Sequence, residues 1–259
     1  MPRFVMSTLV ALALSAGVAV AAEATEPPAQ DWSFDGIFET FDRGALKRGF
    51  QIYSEVCSTC HSLRLVAYRN LRDIGFSEPE VKAIAADVEV LDGPNEEGET
   101  HGEDGMPFMR PGLPSDRFAS PFANEQAARA SNSGALPPDL SLMIKAREHG
   151  PDYVYAFLTG YQDEVPEGVE LADGRFYNRY FPGNQTSMGP MLGDEAVEYA
   201  DGTKPTLEQH ARDIVTFLSW TAEPEMEERK SLGIKVVLFL VVLTAMLYAV
   251  KRKIWSDLH

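Results

Sequence analysis

The segment Leu232–Val250, LGIKVVLFLVVLTAMLYAV, is apolar on every helical face and has no polar side to turn to water. As a helix rising about 1.5 Å per residue it spans on the order of 28 Å, close to the hydrocarbon thickness of a bilayer. Its one charge, Lys235, lies in the first turn, near enough to the end to snorkel to the interface. Lys251, Arg252 and Lys253 follow directly and Trp255 suits the membrane boundary, so the positive-inside rule puts this end in the cytoplasm. The alternative is a helix buried in a soluble core, but such helices seldom stay apolar all round for this length. The rest of the chain must then fold as a body attached to a single span.

The other end agrees. Residues 1–22 begin with one cation, Arg3, continue through an apolar run from Phe4 to Val20, and finish in small residues before Glu23. That order predicts a secretory signal peptide cut near Ala21 or Ala22; an uncleaved anchor is the alternative, and a single Arg argues against a mitochondrial presequence. The expected organisation is a signal peptide (1–22), a periplasmic domain (23–225), a transmembrane anchor (226–253) and a cytoplasmic tail (254–259). The expected site is a bacterial cytoplasmic membrane, crossed once. About 200 exported residues suffice for one domain with a real core. The net charge of -16 argues against nucleic acid as a partner, and it favours solubility and a basic partner.

Within the domain, Asp42 can cap a helix running to about Val56, with Leu46, Phe50, Tyr53 and Cys57 on one face. Ser77 and Glu80 form a capping box for a helix to Ala86. From Asp87 to Asp104 eight acids occur without a Lys or Arg, interrupted by Gly and Pro, which predicts a loop. A helix, a Pro-Pro turn and a second helix are expected in NEQAARASNSGALPPDLSLMIKAREHG. A short helix follows in PDYVYAFLTGY, with Tyr153, Phe157 and Leu158 on one face. A last helix is opened by Pro205 and by a Thr206/Gln209 box, with Ile214, Phe217 and Leu218 inward. The fold class is mostly α with long loops and one C-terminal transmembrane helix. So few elements would leave a poor core unless something else fills the middle.

The chain's only cysteines, Cys57 and Cys60, stand beside His61 in EVCSTCHSL. A disulfide here would close a very small loop and constrain little. A redox dithiol is expected at the start of a helix in a βαβ setting, whereas an apolar helix leads in here. Zinc needs four ligands, and His101, His149, His210 and His259 do not repeat the spacing. Cys-x-x-Cys-His is the signature of covalent c-type haem attachment. Two sulfurs about one helical turn apart can take the two vinyl groups, and the next residue then lies under the ring as an axial ligand. A haem would also supply the missing centre of the core. An axial Met would make an electron carrier, an open position a ligand-binding site. Met106, Met109, Met143, Met188 and Met191 are candidates, each of which could equally be ordinary packing. In YFPGNQTSMGPM the glycines and aromatics suit close approach to a flat ring, which favours Met188 while leaving Met191 open.

With these features together, the chain resembles the cytochrome c1 family of the cytochrome bc1 complex. The resemblance covers nearly the whole exported domain and the anchor. It is carried by RGFQIYSEVCSTCHSLRLVAYRNL, VEVLDGPNEEGE, FMRPG, ARASNSGALPPDLSLMIKAREHG, DYVYAFLTGY, FYNRYFPGNQTSMGPML and DGTKPTLEQHARDIVTFLSWTAEPE. These segments look closer to mitochondrial members than to bacterial forms with extra cysteines; the insertion THGEDGMP departs from the mitochondrial pattern. The resemblance implies a cytochrome c-like helical domain holding one covalent haem c on Cys57 and Cys60, with His61 and Met188 as the axial iron ligands. It implies Arg147 beside a haem propionate, where the residue alone reads equally well as a solvated Arg. It also implies that Pro137 and Pro138 form a rigid turn against the haem, with Asn132 and Tyr153 near its edge. The expected role is electron transfer from a Rieske iron–sulfur protein to a soluble basic cytochrome c, beside cytochrome b in a dimeric quinol-oxidising complex. The acids of 87–104 would either steer that basic partner or merely be solvated.

Overall fold

The computed structural model describes residues 25–256; the expected signal peptide and the last residues of the tail lie outside that range. In chain order the elements are α1 (Arg43–Glu55), α2 (Glu78–Ala86), β1 (Glu89–Leu91), β2 (Met109–Pro111), α3 (Glu125–Ser131), α4 (Gly150–Thr159), β3 (Phe176–Tyr177), β4 (Gln185–Thr186), α5 (Leu207–Ala222) and α6 (Met226–Trp255). The fold is mostly helical, with long irregular connections and two short antiparallel strand pairs.

Asp42 opens α1 by accepting a hydrogen bond from the Ala45 amide at 2.9 Å, and Leu46, Phe50 and Tyr53 are buried on the face that their spacing predicts. Ser77 and Glu80 cap α2 reciprocally, as expected. On α5 only half of the expected box forms. Thr206 accepts from the Gln209 amide, but the Gln209 side chain donates forward to Asp213 Oδ2 at 3.0 Å. The reason is that Asp213 is a fully buried carboxylate, and such a group draws in every donor within reach. The second helix expected after the Pro-Pro turn is instead a run of turns, with only Leu142 O bonded to an amide four residues on, that of Ala146. Asp139 and Ser62 take up the amides of Ser141 and Leu140, and this holds the entrance in a turn. On α4 the fully buried side chains are Val154 and Ala156, while Tyr153, Phe157 and Leu158 are half-buried.

The core centres on α1 crossing α5. A methyl group on Gly49 would come within 2.2 Å of the Asp213 carbonyl oxygen and 2.6 Å of Phe217 Cβ, so the two backbones meet where only glycine fits. Arg48 braces the crossing, donating from Nε and Nη2 to the two oxygens of Asp213 at 2.8 and 3.0 Å and from Nη1 to Asp201 at 2.9 Å. His210, also fully buried, lies 3.0 Å from both the Gly193 and Val197 carbonyl oxygens and so fastens the segment before α5. An N-terminal strap lies over α4 and α5: Trp32 Nε1 donates to Asp152 at 2.7 Å, and Arg212 lies against the rings of Trp32 and Tyr155.

The acidic segment is a loop whose base is closed by β1 and β2, with Val90 opposite Arg110. Arg110 there pairs with Asp92 and Asp116. The inserted THGEDGMP forms its own small turn, with the Gly102 amide donating to Met106 O at 2.8 Å. After α5, Glu223 turns the corner into α6 by pairing with Lys145 at 3.5 Å and with Arg229. α6 is long and apolar enough to cross a membrane, with a mean hydropathy of 2.4 in its best window, and its apolar side chains are exposed.

Replacing Gly49 with Ala forces the crossing apart. Helix propensity gains about 1 kcal/mol, but overpacking costs about 1–3 kcal/mol and often more when backbone is in the way. A lowered unfolding midpoint for Gly49→Ala, followed by circular dichroism of the solubilised chain, is the expected result.

Candidate haem site

α1 ends directly at the cysteine motif. Cys57–Thr59 tighten into a 3-10 turn, and the Cys57 carbonyl accepts from the amides of Cys60 (3.2 Å) and His61 (2.9 Å). Both cysteines are half-buried, Cys57 with its side chain packed against the core, and they are not bonded to each other. Burial, reinforced by the neighbouring Cys60, pushes the Cys57 thiol up to about 12. Catalytic dithiols need the opposite shift, toward thiolate. No three His, Cys, Asp or Glu side chains gather into a metal-binding group among the described residues. Zinc's usual four ligands are thus not gathered among those residues.

His61 is held from two sides. The Tyr53 hydroxyl donates to its carbonyl at 3.1 Å. Its ring Nδ1 lies 2.7 Å from the Pro138 carbonyl oxygen. A carbonyl can only accept, so Nδ1 carries the proton and Nε2 presents its lone pair, the form in which imidazole binds a metal. Nε2 has no hydrogen-bond partner among the described residues. Burial lowers the His61 pKa, against the pull of the Pro138 carbonyl and Asp139, and so also favours the neutral ring.

Asp139 anchors this clamp. Its oxygens accept from Ser62 Oγ (2.8 Å), the Arg64 amide (2.9 Å) and the Ser141 amide (2.9 Å). Burial acts to raise its pKa, but these donors win and hold the carboxyl down at about 2. The Pro137–Ser141 segment is thus zipped to residues 61–65, and it cannot withdraw the carbonyl that orients His61.

Pro138 and Arg147 line one open cleft of about 350 Å³ whose other walls are mainly apolar, among them Leu65, Leu142, Met143 and Ala146. Arg147 in turn faces Tyr153: burial raises that phenol's pKa while the guanidinium beside it pulls it down. The Tyr153 ring stacks on Phe157 at a centroid distance of 6.3 Å, and Phe157 meets Tyr161 at 5.6 Å. Tyr161 donates its hydroxyl to the Met188 carbonyl at 2.9 Å. The Met188 amide donates to Thr186 Oγ1 at 3.2 Å. A continuous series of side chains therefore runs from the cleft beside His61 to Met188.

Met188 is half-buried, whereas Met106, Met109 and Met191 are exposed and Met143 packs against the core. Asn132 lies at the C-cap of α3, and its side-chain amide is donated to the Ala128 carbonyl of its own helix at 2.7 Å. Spacing put Tyr53 on the inner face of α1 without revealing its bond to His61, and it did not single out Asp139, Tyr161 or Thr186. All four act on backbone or on a segment distant in sequence, and the Pro-Pro-Asp turn was the only local signal for any of the last three.

The residues fit a c-type haem on the chemistry of their donors: two unbonded thiols one turn apart, an imidazole with a free Nε2, and an apolar cleft with a cation at its rim. The Cytochrome C1 family model matches residues 32–258. Cytochrome c1 of Rhodospirillum rubrum is 47% identical over 276 residues, covering 99% of both chains. "Cytochrome b/c1" of Bradyrhizobium diazoefficiens is 47% identical over 90% of this chain, which spans 36% of that longer protein. "Cytochrome b-c1 complex catalytic subunit, mitochondrial" of Candida albicans is 48% identical over 90% of this chain and 78% of its own length. The haem-attachment motif at the end of α1, its clamp on Pro138 and the apolar C-terminal helix thus stand in a chain that belongs to the cytochrome c1 family.

Proposed function

We propose that the chain is the electron-relaying subunit of a quinol-oxidising cytochrome bc1 complex, accepting one electron at a time from a Rieske iron–sulfur protein and passing it to a soluble basic cytochrome c. The observation that carries this reading is the His61 clamp: an imidazole locked in its metal-binding tautomer one residue after two free thiols. The names of the relatives, which join c1 to cytochrome b, support membership of such a complex beside cytochrome b. The complex would be a dimer, set in a bacterial cytoplasmic membrane with this domain on the periplasmic side.

Cys57 and Cys60 would hold one haem c by thioether bonds, and His61 and Met188 would ligate its iron. When bound, the haem iron supplies reversible one-electron chemistry. Every other contribution comes from the chain. Pro138 and Asp139 fix the imidazole plane, so little reorganisation accompanies a change of charge. Tyr161 and Thr186 hold the backbone of Met188. A thioether ligand and apolar surroundings both favour the reduced state and a high potential. Arg147 would meet a propionate as a charge-assisted pair, steadied by Tyr153. Pro138 and Tyr153 would line the ring, and Asn132 would stand near its edge. The exposed acids of 87–104 would draw in a basic partner and let it leave quickly.

The direct test is purification of the membrane complex. A b-type cytochrome, an iron–sulfur protein and a reduced-minus-oxidised c-type spectrum should all accompany this chain; a colourless chain overturns the reading. The Cys57→Ser/Cys60→Ser double variant should show no haem stain on a denaturing gel. Met188→Leu should keep the stain but lower the midpoint potential markedly in a redox titration. Electron transfer to a basic soluble cytochrome c should slow as salt rises, because screening shortens the reach of the acids to about 8 Å at physiological ionic strength.

A further inference from the structure

The N-terminal strap buries Trp32, Phe34 and Phe41, yet leaves Ile37 67% and Phe38 77% exposed at its apex. The two ends of this loop are tied to the start of α6 in order. Arg43 pairs with Glu227 at 2.6 Å, and the Phe41 amide donates to the same carboxylate at 2.9 Å. One turn further along, Lys230 Nζ donates to the carbonyls of Phe34 (2.7 Å) and Glu39 (3.2 Å). Going from residue 43 to 39 the strap thus advances along α6 from Glu227 to Lys230. The apex between Phe34 and Glu39 is thus held at Lys230, two residues before Leu232, where the apolar run begins.

The turn is built to keep that apex out. Gly36 has φ +127°, and a Cβ there would lie 2.2 Å from the Glu39 carboxylate, which folds back to accept from the Phe38 amide at 3.0 Å. The turn is thus held by its own Glu39 and by Lys230 of α6, and two large apolar side chains are left exposed.

We infer that Ile37 and Phe38 insert into the bilayer surface beside the point where α6 enters it, giving the domain a second membrane contact. The surface is a zwitterionic lipid layer, because Asp35 and Glu39 flank the apex and would be repelled by anionic headgroups. Continuity with α6 selects lipid as the occupant, so the inference rests on α6 crossing the bilayer. Anchoring α6 alone would leave the domain free to tilt; a second contact a few residues from the entry point would fix its tilt.

The test uses the full haem-loaded chain in phosphatidylcholine vesicles, with a bimane label on Phe38→Cys and, separately, on Ile37→Cys. Labels on Leu240→Cys and Glu97→Cys mark lipid and water, and the unsubstituted chain sets the background. Both loop labels should be quenched by nitroxide-bearing lipid as the Leu240 label is, with a several-fold loss of iodide quenching relative to the Glu97 label. Iodide quenching equal to that at Glu97 overturns the inference. Protection from both quenchers means a second protein copy covers the loop, and this also overturns it. Divergence between the two loop labels does the same. If the Leu240 label is itself open to iodide, α6 does not cross and both readings fall, whereas an aqueous loop beside a lipid-facing Leu240 defeats the loop contact alone.

Discussion

The close crossing of α1 and α5 at Gly49 is the contact on which the rest of the domain depends. It sets α1 at a fixed height and angle, and α1 ends at Glu55, with only Val56 between it and Cys57. The distance at Gly49 is set by sterics and the direction by the Arg48–Asp213 pair. Asp213 is fully buried, so removing Arg48 would leave an uncompensated charge in the core, which is far more damaging than the loss of an exposed pair. The buried His210 extends the same bracing to the segment before α5. The position of His61 thus depends on packing some distance away, and the two are linked by a helix that transmits position rigidly.

Much of this was legible in the sequence. The caps at Asp42, Ser77 and Thr206 are local, and the groups they satisfy lie within three residues. The motif Cys57–His61 is also local, because two sulfurs and a nitrogen can be arranged by one turn. The apolar length of α6 needs no tertiary context at all. What the sequence concealed is long-range. The Gln209 side chain turned to Asp213 because burial made that carboxylate the stronger acceptor. The segment after Pro138 became turns because Asp139 reached back across more than seventy residues to Ser62 and Arg64. Helical periodicity in SLMIKAREH could not register such a partner.

The junction with the membrane follows the same logic. Glu223 pairs with Lys145 from the turn segment and with Arg229 from α6, so the corner between α5 and α6 is tied to the part of the domain that lines the cleft. Glu227 and Lys230 tie the strap on another side. The first turns of α6 are therefore part of the domain, and the span proper starts only after them.

Several of the bonds that hold the site and its surroundings end on main-chain oxygen: His61 on Pro138, Tyr53 on His61, Tyr161 on Met188, and the His210 ring against Gly193 and Val197. Every residue type carries that acceptor. The accepting oxygen therefore survives any change of side chain, and an alanine scan would pass over half of each bond. Only a change to the backbone itself, such as an ester in place of the amide that follows Pro138, would weaken the carbonyl and expose how much of the imidazole's orientation it controls.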